Sequence, residues 1–284
     1  MRNIKFLAAV GAAAALALSG CSGADKTEEE VVEDGATEQS AEASGDVVVL
    51  KVGASPSPHA KILEFVNDEL AEEEGIRIEV VEYADYIQPN EALDSGDLDA
   101  NFFQTVPYLE DQTEERGYEF VPGEGIHLEP LAIYSEKYED VADVPEGALI
   151  GIINDPTNQE RALKLLADEG FVELPESGDV NVTTVTPLNG AEFIEVEGPS
   201  LVRNLQDVDI AVINGNFAQE GGLAPSDGLA IESPEDNPAV NILVWPADTE
   251  KADAVAKLEA LLHHEKVKEY ILENWSDGSV IAAF

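Results

Sequence analysis

Short apolar runs of strand character alternate with helix-period segments from residue 47 to the C-terminus, and that alternation limits the architectures open to the chain. VVVLKV (47–52) is a continuous apolar strand, and HAKILEFVNDELAEEEG follows with Ile62, Leu63, Phe65, Val66 and Leu70 on one helical face. IRIEVVEY (76–83) alternates like a strand, PNEALDSG reads as a short helix and turn, LDANFF as a strand, and VPYLEDQTEERG as a helix closed by Gly117. YEFVPG and LEPLAIYS read as two strands with GEG (123–125) as a turn. The theme repeats: ALIGIIN (148–154) runs into the helix PTNQERALKLLADEG, FIEVE into PSLVRNLQ, and DIAVING (209–215) into a helix-start loop. AVNILVWP (239–246) precedes one or two closing helices whose period drifts near His264. Strands separated by helices close through right-handed crossovers, which predicts an α/β fold with largely parallel sheets. Ligands in such folds sit at the carboxyl ends of strands, so the informative loops are GASPSPH, YADYIQPNE, ANFFQTVPY, NDPTNQER and NGNFA.

The first 45 of the 284 residues do not read as fold. Arg2 and Lys5 precede an apolar run, Phe6 to Leu18, which predicts a signal peptide over 1–20. It ends in LSGC, which resembles a lipobox and predicts diacylglycerol on Cys21, the only cysteine. Two acyl chains suffice for stable anchoring. Residues 22–45 are acidic and without aromatics, the composition of a tether that cannot bury enough apolar surface to order itself.

The formal charge is −44, from 15 Lys+Arg against 59 Asp+Glu. No basic stripe exists to displace counterions from phosphates, which excludes nucleic acid as a partner. Arginine is scarce: only Arg2, Arg77, Arg116, Arg161 and Arg203. Arg161 stands in the second turn of a helix that Asp155 can cap and Pro156 can open, where the helix dipole disfavours a cation. A helix start with free N–H groups and a bidentate guanidinium both suit an external carboxylate. The competing explanation is a plain surface ion pair. Asn154, Asn158, Asn214 and Asn216 share these strand-end loops, and Tyr83, Tyr86, Phe102, Phe103 and Tyr108 cluster on the loops of the first half. Phe102 and Phe103 must face opposite ways on a strand, so one of them packs in the core. GxSxG, HExxH, P-loop and GxGxxG motifs are all missing, and His263 and His264 diverge on a helix. No enzyme chemistry, cofactor or metal is therefore expected.

The pieces VGASPSPHAKIL, YADYIQPNEALDSGDLDANFFQTVPYL, LEPLAIYS, NDPTNQERAL, DIAVING and PAVNILV resemble the methionine-binding lipoprotein family (the MetQ/NlpA group), substrate-binding components of ABC importers. The resemblance runs from about Val48 to Phe284. It implies a two-lobed periplasmic-binding-protein fold with a ligand cleft between lobes, the chain crossing near LEPLAIYS and NPAVNILV. Lobe one would be 46–131 plus 240–284, and lobe two 132–239. The resemblance further implies that Tyr86, Phe103 and Tyr108 embrace a thioether and that Arg161, helped by Asn158, takes the ligand carboxylate. Asn214 and Asn241 would hold its amino and carboxylate groups, and His127 would line the cleft. FQTVPYL departs from relatives that read FQHKPYL, with Thr105 in place of a histidine, which leaves one pocket wall open.

The function implied is a monomeric, surface-anchored receptor on the outer face of the cytoplasmic membrane, or on the periplasmic side in a Gram-negative envelope. It would deliver L-methionine to an ABC permease and its ATPase. The alternatives are another apolar amino acid, a methionine-containing dipeptide, or an adhesion or sensing lipoprotein that has lost transport.

Overall fold

Two mixed sheets and one small two-stranded antiparallel sheet lie within residues 47–284, the part of the chain that the computed structural model describes. The expected signal peptide, Cys21 and the tether lie outside the described residues. In chain order the strands are β1 (Val48–Ala54), β2 (Ile76–Glu82), β3 (Ala100–Thr105), β4 (Phe120–Leu128), β5 (Ala132–Tyr134), β6 (Leu149–Ile153), β7 (Val172–Glu173), β8 (Thr186–Pro187), β9 (Glu192–Val196), β10 (Ile210–Ile213), β11 (Ala230–Ile231), β12 (Val240–Pro246) and β13 (Ile281–Ala282). The α-helices are α1 (Lys61–Glu69), α2 (Gln88–Asp94), α3 (Val106–Arg116), α4 (Pro156–Asp168), α5 (Leu201–Asn204), α6 (Gly215–Glu220), α7 (Ala252–Leu262) and α8 (Glu265–Asn274).

The first sheet runs β13-β4-β12-β3-β1-β2 and the second β11-β5-β10-β6-β9. Pairing is parallel for β2, β1 and β3 and for β10, β6 and β9, the strands joined by helical crossovers. The remaining ladders of both sheets are antiparallel, which corrects the expectation of largely parallel pairing. The cause is connectivity: β5 and β12 are reached by short links rather than by helical crossovers, and so enter their sheets from the opposite end.

A second correction concerns GEG. It lies inside β4, which runs unbroken to Leu128, and the irregularity that its glycines signal is a shifted register against β12 between Asn241 and Val244. A Cβ on Gly125 would stand 2.7 Å from Val240 Cγ1, so glycine here serves close strand approach. The drift near His264 is a real break: α7 ends at Leu262, and the His264 side chain caps α8 by accepting from the Lys266 N–H.

Apolar faces pack as the periods require. Leu50, Val52, Ile62, Val66, Leu258, Leu262 and Ile271 join the first sheet to α1, α7 and α8. Ile150, Ile152, Leu163, Leu166, Ile210 and Val212 join the second sheet to α4. Each such side chain, fully buried, contributes about 1.5–3 kcal/mol of transfer free energy. That rigidity fixes the ends of β1, β3, β6 and β10, from which the chain turns directly into the segments that bear polar and aromatic side chains.

Candidate functional site

Six strand ends and the start of β12 converge on a single cavity. Its lining comprises His59 after β1, Tyr86 after β2, Phe103, Gln104 and Thr105 at the end of β3, Tyr108 in α3, and Glu129 between β4 and β5. Asn158 and Arg161 of α4, Asn214, Gly215 and Asn216 at the start of α6, and Asn241 of β12 complete it. Both sheets contribute, so the cavity lies between them. It spans about 370 Å³, counting the part open to solvent.

One end is aromatic. On β3, Phe102 points into the core with no exposure, while Phe103 faces the cavity at 4 %. Tyr86, Phe103 and Tyr108 stand around the space with ring centroids 5.8–6.1 Å apart and tilted planes. The rings are fixed by polar bonds: the Tyr108 hydroxyl donates to the Tyr86 carbonyl (2.9 Å), and the Tyr86 hydroxyl donates to Asn216 Oδ1 (2.5 Å). Phe217 stacks behind Tyr86 at 4.8 Å.

The other end is polar. α4 begins with Asp155 extended at φ −78°, its carboxylate accepting from the Asn158 N–H at 2.9 Å, and Pro156 in the first turn. Burial pushes the Asp155 carboxyl up to about 6, against the pull of its Asn158 hydrogen bonds. Asn158 Oδ1 accepts from Asn214 Nδ2 at 2.8 Å, tying α4 to the end of β10. Arg161, one turn into the helix, gives Nε and Nη2 to the Glu232 carboxylate and Nη2 also to the Glu129 carbonyl. The ion pair that competes for Arg161 therefore exists, with Glu232, yet Nη1 makes no hydrogen bond among the described residues and the guanidinium still faces the cavity.

His127 is the sequence-expected site residue that the lining omits. It is fully buried behind the wall, where its Nε2 donates to Glu129 Oε1 at 2.8 Å. The alternation of β4 turns it inward, and its role is to hold Glu129. His59, on the opposite side, donates Nε2–H to Asn241 Oδ1 at 2.9 Å and lies 3.4 Å from Glu129 Oε1. Burial pushes His59 down to about 4 and His127 to about 3, so both are neutral at physiological pH. Burial pushes Glu129 up to about 7, partly offset by His59 and Arg161.

The donor atoms of His59, His127 and Glu129 lie within 4.8 Å of one another. A cation there would force protons onto both Nδ1 atoms, which are buried and without partners, whereas ligating histidines donate that proton to an acceptor. Proton-bearing Nε2 atoms on oxygen acceptors leave only the two Nδ1 lone pairs without partners, so the cluster is a hydrogen-bond network.

Sequence reasoning missed Glu129, His59 and Glu232. An acid within the otherwise apolar HLEPLAIY, and a histidine in the loop after β1, were the available signals. Far from the lining's centre, Gln219 of α6 accepts from Trp275 Nε1 (2.8 Å) and Ser57 Oγ (3.1 Å), clasping the second sheet's side to the first.

A model of the NlpA lipoprotein family matches residues 50–284. The D-methionine-binding lipoprotein MetQ of Salmonella typhi is 33% identical over 286 residues, covering 98% of this chain and 98% of that protein. The crystal structure of an Actinomyces odontolyticus lipoprotein is 62% identical, with a TM-score of 0.83, covering 84% of this chain and all (100%) of that one. A nutrient binding protein from Burkholderia cenocepacia, solved bound to methionine, is 36% identical with a TM-score of 0.78, covering 83% of this chain and 100% of that one.

Proposed function

The chain belongs to the NlpA lipoprotein family, one of substrate-binding lipoproteins and not of enzymes, and from that premise we propose that it captures methionine between its two sheets and delivers it to an ABC permease and its ATPase. The observation that carries the reading is the polarity of the cavity: three rings at one end, and Arg161 with four asparagines at the other. That is the outline of a zwitterion with an apolar side chain. A thioether against aromatic rings gains about 0.3–1.5 kcal/mol per contact, which favours methionine over a plain aliphatic. Arg161 receives the carboxylate through its remaining edge. Tyr86, Phe103 and Tyr108 hold the side chain, and Asn158, Asn214 and Asn241 fix the polar end.

Two lobes, 46–131 with 240–284 and 132–239, move about the links near residues 130 and 239. This division is supported by the membership of the sheets, since β1 to β4, β12 and β13 form one and β5, β6 and β9 to β11 the other. Closure excludes water and strengthens the carboxylate contact. The receptor acts as a monomer held at the cell envelope through lipid on Cys21. No helix among the described residues is long and apolar enough to cross a membrane.

Calorimetry of the purified protein against both enantiomers of methionine, other apolar amino acids and methionine dipeptides tests the reading. The expected result is tightest binding of L-methionine. A dipeptide is the second reading, favoured by a larger space of about 1180 Å³, counted the same way, that shares Thr105, Asn158 and Arg161 with the first. Preference for the dipeptide would replace the first reading with the second.

A further inference from the structure

We propose that Glu129 receives the α-ammonium group of the bound amino acid through its Oε2 atom. The inference rests on the reading of the cavity as a zwitterion site and names the group that reading lacks. A buried ammonium without a counter-charge is costly, and amide oxygens alone meet only part of that cost. Glu129 is the only acidic side chain in the lining.

Its geometry suits the task. Oε1 is anchored by His127 at 2.8 Å and flanked by His59 at 3.4 Å, while Oε2 accepts no hydrogen bond among the described residues. Gly215 borders Oε2: a Cβ there would come within 2.8 Å of Glu129 Cβ and 3.3 Å of Oε2, so the missing side chain keeps the approach open. The backbone carbonyl of Glu129 accepts from Arg161 Nη2 at 2.7 Å, which sets the cation and the acid side by side, as the two charges of an amino acid require. A glutamate kept only to satisfy two neutral histidines would be served as well by an amide, without a buried charge.

Proton linkage follows. The carboxyl is pushed up to about 7, so near neutrality it is partly protonated before ligand arrives. Docking of the ammonium favours the carboxylate, and the proton leaves to buffer. The other groups facing Glu129 are Arg161 of α4 and the histidines His59 and His127, which burial pushes down to about 4 and about 3 and so keeps neutral near pH 7. Tyr86, opposite, is pushed far above its ordinary range. Glu220 at the end of α6 is also pushed up to about 7, by burial and the Glu129 charge, but does not line the cavity.

The test is calorimetry on the full chain with methionine and its desamino analogue, 4-(methylthio)butanoate. Wild type is expected to prefer methionine by at least about 100-fold at pH 8, and E129Q by less than about 5-fold, with analogue affinity little changed. At pH 7, in buffers of different ionisation enthalpy, wild type should release about half a proton per methionine and almost none with the analogue. E220Q should keep that release. Undiminished discrimination in E129Q, or equal proton release with both ligands, would overturn the proposal while leaving methionine capture intact. Failure of wild type to bind methionine would overturn both. The proton count needs no variant, so it decides the matter even where E129Q folds poorly.

Discussion

The Arg161 guanidinium is paired with one carboxylate, that of Glu232, and under the proposed function takes the ligand's as a second. Glu232 takes the Nε edge and fixes the plane, which leaves Nη1 for a ligand. Arg161→Ala is expected to lose at least ten-fold in methionine affinity by calorimetry, from the loss of a charge-assisted bond worth about 1.5–3 kcal/mol. Beside Glu129, His59 and His127 are neutral when folded and have an ordinary value of 6.5 when unfolded. Their contribution to stability is fully present above pH 6.5 and is lost as pH falls towards 4 and 3. Glu129 acts in the opposite sense: between its ordinary 4.5 and about 7 the folded state holds a proton that the unfolded chain lacks. Acidification therefore favours wild type over Glu129→Gln. The melting temperature of wild type minus that of the variant should rise as pH falls from 7 to 4.5. A flat difference would mean that Glu129 titrates normally.

At the scale of elements, α6 does the most with the fewest residues. Its six residues place Asn216 on Tyr86 and Gln219 on Ser57 and Trp275. Gln219→Ala removes the clasp without touching the cavity lining. Faster methionine dissociation, by about ten-fold for one or two hydrogen bonds, with ligand ranking unchanged, is expected in stopped-flow measurements. Helices with strong local signals were legible in sequence. Asp155, Pro156 and the Ala162–Leu166 stripe define α4 through rules that act within one turn, and pleat alternation separates Phe102 from Phe103. The start of β4 was legible in YEFVPG, but its continuation was not, because GEG carries turn chemistry locally and is held extended only by its partner β12. Glu129 and Glu232 were hidden for a related reason. Among 59 acidic residues nothing local marks the two that face Arg161, and their role exists only once β4, α4 and β11 are assembled.

For the molecule as a whole, the formal charge of −44 sets the conditions of stability. Self-repulsion opposes compaction, and screening beyond about 8–10 Å at moderate ionic strength relieves it. The melting temperature should rise substantially between low and molar salt, and an unchanged value would remove charge repulsion as a factor. The clasp has an optical consequence. The indole of Trp275 is 8% exposed, and its N–H is bonded across the interface to Gln219, while the only other tryptophan, Trp245, sits within β12. Opening of the clasp would hydrate one indole and leave the other in its sheet. The chain thus carries its own fluorophore at the seam where the Trp275 indole meets Gln219. Titration with methionine should shift emission to the blue, and Trp275→Phe should silence the shift without a dye ever being attached.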